Sequence, residues 1–182
     1  MEATHPLKIE KPAPRPFRIP AVQMPIPEAF GPDSARAALL AEHHCLTEAI
    51  YYEARGEGEE GEKAVAEVIF HRVQRGATGK SICAVVSAGA DRGQCQFTFM
   101  CDGAMLKPRS KEEWRQAEIL AARMLTGAEN LGDATRGATN YHAVEVHPVW
   151  SAELVRTAQI GNHIFYRTLP ETENVAFRGS IW

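Results

Sequence analysis

Glu53 is the residue of this chain best placed to do acid–base chemistry, because it puts a carboxylate on the apolar stripe of a helix-forming segment. At about 3.6 residues per turn, Leu46, Ile50 and Glu53 share one stripe, while Glu48 points well away from it. A carboxyl group facing apolar neighbours has its charged form disfavoured, so it holds a proton closer to neutral pH, as a general acid must. The plainer reading is a surface charge or half of an ion pair, in a chain with 23 acidic residues and an Arg at position 55. Gln96, Phe97, Asn140, Tyr141, His142 and Trp150 are the types that line glycan clefts, where amides meet sugar hydroxyls and aromatic faces meet sugar C–H groups. Phe97 and Trp150 are equally the types that fill a core. His142 and His163 also suit internal hydrogen bonds.

A zinc site is the rival chemistry. His142, Glu145, His147 and His163 supply ligand types, which would make the protein an amidase that cuts peptide stems. Their spacing argues against it: on a strand His142 and His147 face opposite sides, and no pair of the HExxH kind exists in the chain. The expectation is therefore no metal and no cofactor.

The motifs around Glu53 have a family likeness. Glu53-Ala54-Arg55-Gly56-Glu57, Glu60-Gly61, Ala64-Val65-Ala66 and His71-Arg72-Val73 resemble the signature of the SleB/CwlJ-type cell-wall hydrolases. Gln94 to Phe97, Trp114, Ala138 to Ala143, Pro148 to Trp150 and Ile160 to Tyr166 follow in that family's order, so the likeness runs from about Cys45 to Arg167. The resemblance implies a lysozyme-like fold, with a helical lobe, a small antiparallel β lobe and a cleft between. It also implies Glu53 as the catalytic residue, peptidoglycan glycan strands as substrate, and cleavage after N-acetylmuramic acid. In the lytic transglycosylase version the sugar's own C6 hydroxyl attacks, and a single Glu suffices. A peptidoglycan-binding module without catalysis is a third class that spacing alone leaves open.

The elements that must position these residues are legible as well. At 182 residues and 45% apolar, the chain has the length and the core for one catalytic domain, expected over 34–170. Eight of its eleven prolines fall within the first 32 residues, which predicts an extended arm over 1–33, and a loosely held tail is expected over 171–182. Helices are predicted over 34–54, with Asp33 as cap, and over 60–75, burying Ala64, Val65, Val68, Ile69 and Val73. A further helix starts at Ser110 with a capping box and buries Trp114, Ala117, Leu120, Ala121 and Met124 before Gly127. Residues 87–109 read as a long loop, and 139–146 and 163–167 as strands joined through a Pro148–Gly161 connection.

Charge and cysteine usage bound the setting. A net charge of −3 without a basic stripe argues against nucleic acid, and no apolar run is long enough to span a bilayer. No secretory signal opens the sequence at Met1, which means either a cytoplasmic protein or one whose signal has been removed. Four cysteines, at 45, 83, 95 and 101, favour export to the periplasm or cell wall, as two disulfides. They admit three pairings; Cys95 and Cys101 flank a short loop, which favours a local bridge there and leaves Cys45 with Cys83. A monomer is expected.

Overall fold

The computed structural model describes residues 32–129 and 132–168. The arm expected over 1–33 and the tail over 171–182 lie outside these residues, except that Pro32 and Asp33 open the first helix. Helix α1 runs Pro32–Ala54, so Asp33 is not its cap; it sits in the first turn, where a negative charge suits the helix dipole. Helix α2 runs Gly58–Arg75, two residues longer than expected at its start. Between them Gly56 and Gly58 take φ of +86° and +73°, a left-handed backbone that only glycine adopts without strain, and the chain reverses there. Gly76 closes α2 in the same conformation, its N–H donating to the Arg72 and Val73 carbonyls.

A short helix α3, Ile82–Val86, was not evident from the sequence, where five apolar residues show no period. Two side chains start it. Ser81 Oγ accepts from the Ala84 N–H, and Glu42 of α1 accepts from the Ile82 N–H at 2.6 Å. Helix α4, Lys111–Leu125, is capped by Ser110 as its sequence predicts, and it buries Ala117, Leu120, Ala121 and Met124. Leu46, Ile50, Val65, Ile69, Val85 and Phe97 join these residues in the main core.

The β lobe is a three-stranded antiparallel sheet in the order β1-β3-β2, with β1 at Asn140–Ala143, β2 at Val155–Ile160 and β3 at His163–Arg167. The predicted Pro148–Gly161 connection is thus corrected: it holds a 3-10 turn, Val149–Glu153, and the whole of β2. The first strand is also shorter than expected, since the chain turns at Val144 and Glu145. The sheet packs on α2 through a second apolar cluster of Ala64, Val68, Ala138 and Phe165. The architecture is α+β, a helical lobe carrying a small antiparallel sheet.

Cys45 pairs with Cys83 and Cys95 with Cys101, the favoured arrangement. The first ties α1 to α3 across 38 residues, the second closes a loop of only 6. Loop-closure entropy then predicts about 4 kcal/mol of stabilisation from Cys45–Cys83 and about 2 kcal/mol from Cys95–Cys101. Denaturant unfolding of the two double Cys→Ser variants should show that order, and a larger loss from Cys95/Cys101 would contradict it.

Candidate active site

Glu53 lies in the last turn of α1, half-buried, with its Oε2 accepting the Tyr141 hydroxyl proton at 2.9 Å. Burial raises its pKa above the usual carboxyl value; the Tyr141 bond and the Arg72 charge pull the other way, and Asp102 adds to the rise. Desolvation wins. The Tyr141 hydroxyl is pushed well up, by burial first and by Glu53 next, so it stays a donor.

Arg72 enters the same site from α2. Its Nε donates to the Thr139 carbonyl at 2.7 Å, its guanidinium lies 5.3 Å from the Phe97 ring centre, and its Nη1 is buried without a hydrogen bond among the described residues. Arg72 is not among the residues that the sequence motifs single out for the site, although the sequence carries a signal for it. Val65, Ile69 and Arg72 share one stripe of α2, so a charge stands on an apolar face there as Glu53 does on α1. His163 was likewise not placed in the site; its ring meets Tyr141 edge-on at 5.2 Å, and burial lowers its pKa.

The β lobe is hung on α2 by polar side chains that reach backbone. Glu67, 2% exposed, accepts from the Ala134 and Thr135 N–H groups and from the Thr135 hydroxyl. His71 Nδ1 donates to the Ala138 carbonyl at 2.8 Å. With Arg72 on Thr139, three side chains of α2 grip the segment that leads into β1 and delivers Tyr141. Glu57, at the start of α2, accepts from the backbone and side-chain amides of Asn162 at 2.7 and 3.1 Å, fastening the β2–β3 turn. Gly161 in that turn has φ of +55°, and a Cβ there would collide with Glu57 Oε2. Glu57 and Glu67 are therefore structural carboxylates.

The predicted glycan-binding residues do not all come together. Strand alternation turns Tyr141 and its partner Phe165 toward α2, and Asn140 and His142 to the opposite face of the sheet. There His142 stacks on Tyr166 at 5.1 Å and meets Trp150 edge-on at 5.6 Å. Its Nδ1 donates to the Ala143 carbonyl, so its Nε2 accepts from the Tyr166 hydroxyl at 3.0 Å. Asn140, His142 and Trp150 thus sit away from Glu53. Phe97 needs a second correction: at 2% exposed it is core, and it supports Arg72 from below. Gln96 is exposed on the Cys95–Cys101 loop. Of the zinc candidates, His142 and His163 lie on opposite faces, and no cluster of metal-ligating side chains occurs among the described residues.

Comparison with known proteins places the family and the fold. The profile of the cell wall hydrolase family matches residues 56–166, and the chain belongs to that family. The matched span opens just after Glu53. The fold is shared with the catalytic domain of the Bacillus cereus SleB protein, at 24% identity and a TM-score of 0.55, covering 70% of this chain and 91% of that one. The catalytic domain of the germination-specific lytic transglycosylase SleB from Bacillus anthracis aligns at 22% identity and a TM-score of 0.53, over 78% of this chain and 100% of that domain. No curated protein sequence matches the chain.

Two outcomes test the electrostatics. Tyr141→Phe removes a hydrogen bond that favours the carboxylate, so the Glu53 pKa should rise further, read from the pH dependence of its side-chain carboxyl NMR signal; a fall would contradict the assignment. Glu53→Gln removes a group whose folded pKa exceeds its unfolded value. Such a group costs nothing below the unfolded pKa and destabilises the fold once pH passes the folded one. The melting temperature of Glu53→Gln relative to the parent should therefore climb as pH rises from the ordinary carboxyl value, about 4, through the raised folded one. A difference independent of pH would remove burial as the dominant effect.

Proposed function

We propose that this protein is a peptidoglycan glycosidase that works as a lytic transglycosylase, with Glu53 as its single general acid and base. The observation that carries this reading is a half-buried carboxyl with a raised pKa, bonded to Tyr141, while Glu57 and Glu67 are committed to holding the fold. Membership of the cell wall hydrolase family supports the substrate, and the fold shared with a lytic transglycosylase domain supports the bond.

Protonated Glu53 donates to the glycosidic oxygen as the bond to C1 of N-acetylmuramic acid breaks. The resulting carboxylate then takes the proton of the C6 hydroxyl, whose oxygen closes on C1 to leave a 1,6-anhydro ring. No water is consumed. Hydrolysis instead calls for a second carboxylate across the bond. Asp102 is the acid that perturbs Glu53, but it is exposed and its Oδ1 accepts from the Ala104 N–H, while Glu145 is exposed beyond β1. Tyr141 and Arg72 steady the carboxylate between the two proton transfers. Residues 34–170 form the catalytic domain in this reading, acting as a monomer. The two disulfides fit an exported protein of the periplasm or cell wall.

Glu53→Gln should lower the rate of sacculus digestion by about a hundredfold or more, with the fold retained. Mass spectrometry of the parent's products should show 1,6-anhydromuramoyl ends. Reducing muramic acid ends would keep the glycosidase and reject transglycosylation; free stem peptides with intact strands would reject both and return the metal-dependent amidase, and intact sacculi would leave only a binding module.

A further inference from the structure

The turn of α1 that carries Glu53 also forms one wall of a cationic pocket. A cavity of about 150 Å3 is lined by Tyr51, Tyr52, Arg55, Lys107, Pro108 and Arg109, together with Ala104. That is roughly ten times what one water requires, enough for a carboxylate and the residue bearing it. An open groove lined by Arg109, Lys111 and Trp114 shares Arg109 with it.

The pocket is built. Tyr52 is fixed by stacking on Phe99, with ring centres 4.9 Å apart and planes 18° apart. Arg55 is held by the Tyr51 hydroxyl at 2.9 Å, and that same oxygen accepts from the Ser110 N–H at 2.8 Å. Arg109 lies 3.9 Å above the Trp114 ring. Burial raises the Tyr52 pKa, and the Arg109 and Arg55 charges pull it the other way, as cations sharing its cavity must. The acid on this wall, Glu48, is buried and paired with His44 at 3.1 Å. None of Arg55, Lys107 and Arg109 makes an ion pair with a carboxylate among the described residues. Three cations thus line one concave site, two of them, Arg55 and Arg109, held by aromatic rings and a hydroxyl rather than by acids.

The loop from Cys101 to Arg109 joins this pocket to the cleavage site, since Asp102 at its start acts on Glu53 and Lys107 and Arg109 at its end line the cavity. The two ends differ in what they offer a substrate carboxylate. At the Glu53 end Arg72 is buried with its Nε on the Thr139 carbonyl, whereas Arg55, Lys107 and Arg109 line a cavity without a carboxylate partner among the described residues and draw an anion to it. We propose that the pocket binds a free carboxylate of the peptide branch borne by the glycan strand, so that the enzyme recognises strands that carry peptides. The proposal rests on the reading of Glu53 as the place where the glycan is cut.

Lys107→Glu and Arg109→Gln should each lower the preference for peptide-bearing over amidase-stripped strands, as the ratio of kcat/KM, by about fivefold or more, and through KM. Equal losses on both substrates, or no loss of preference, would overturn the proposal. A second measurement is independent of cleavage: muramyl tripeptide titrated into Glu53→Gln protein, followed by tryptophan fluorescence. Added Lys107→Glu and added salt should each weaken that binding; the same affinity with and without Lys107→Glu, or tighter binding of inorganic phosphate than of the tripeptide, would refute a carboxylate site. If parental protein cuts no glycan yet binds the tripeptide through Lys107, the Glu53 reading falls and the pocket stands.

Discussion

Everything in this fold answers to one constraint: the carboxyl of Glu53, on one lobe, has to be withdrawn from water against a tyrosine hydroxyl on the other. A hydrogen bond of that kind is lost within an ångström of displacement, so the sheet must be placed on the helices with matching accuracy. Apolar packing of Val68 and Ala64 on Phe165 supplies cohesion but little direction. Direction comes from Glu57, just before α2, and from Glu67, His71 and Arg72 along it, each committed to a backbone group or a turn of the β lobe. Most of those partners are main-chain atoms, which have no rotamers to wander through. Side chains anchored on main chain fix where the neighbouring segment runs.

The helical lobe meets a matching demand from its own side. Glu53 is near the end of a 23-residue helix, and the last turn of a helix is where fraying begins. Cys45–Cys83, the Glu42 cap on α3 and the Tyr51 hydroxyl on Ser110 all brace α1 within its last four turns. The loop between α3 and α4 adds a floor: Phe97 and Phe99 are core residues that hold Arg72 and Tyr52, so a segment of loop-forming composition ends up aligning two sites.

Much of this was legible before any coordinates, and the reason is periodicity. Helices α1, α2 and α4 carry long apolar stripes that end at glycines, and Glu53 declares itself by standing on a stripe. Arg72 obeyed the same logic, yet a basic residue near a helix C-terminus is so well explained by the helix dipole that its burial went unread. Strand β2 escaped because Val155 to Ile160 mixes Arg, Thr and Gln with half-buried positions and bulges at Thr157, leaving no clean alternation. The division of Asn140 and His142 from Tyr141 follows from alternation within β1; motif proximity along the chain is simply not proximity across a sheet. Nothing in the sequence separates the carboxylates of Glu57 and Glu67 from a catalytic one, and only the backbone amides they meet show them to be fasteners.

The grip of Glu57 on the Asn162 turn has a mechanical meaning. It joins the tip of the helical hairpin to the tip of a β hairpin at the margin of the two lobes, far along the chain from the Glu67 and Arg72 anchors. Two layers pinned at well-separated places resist twisting as well as opening, much as a plate bolted at two corners does. The lobes therefore act as a die of fixed shape instead of a jaw. If Glu53 is where the glycan is cut, the strand is the partner that adapts, and the work of distorting it is drawn from contacts made along its length.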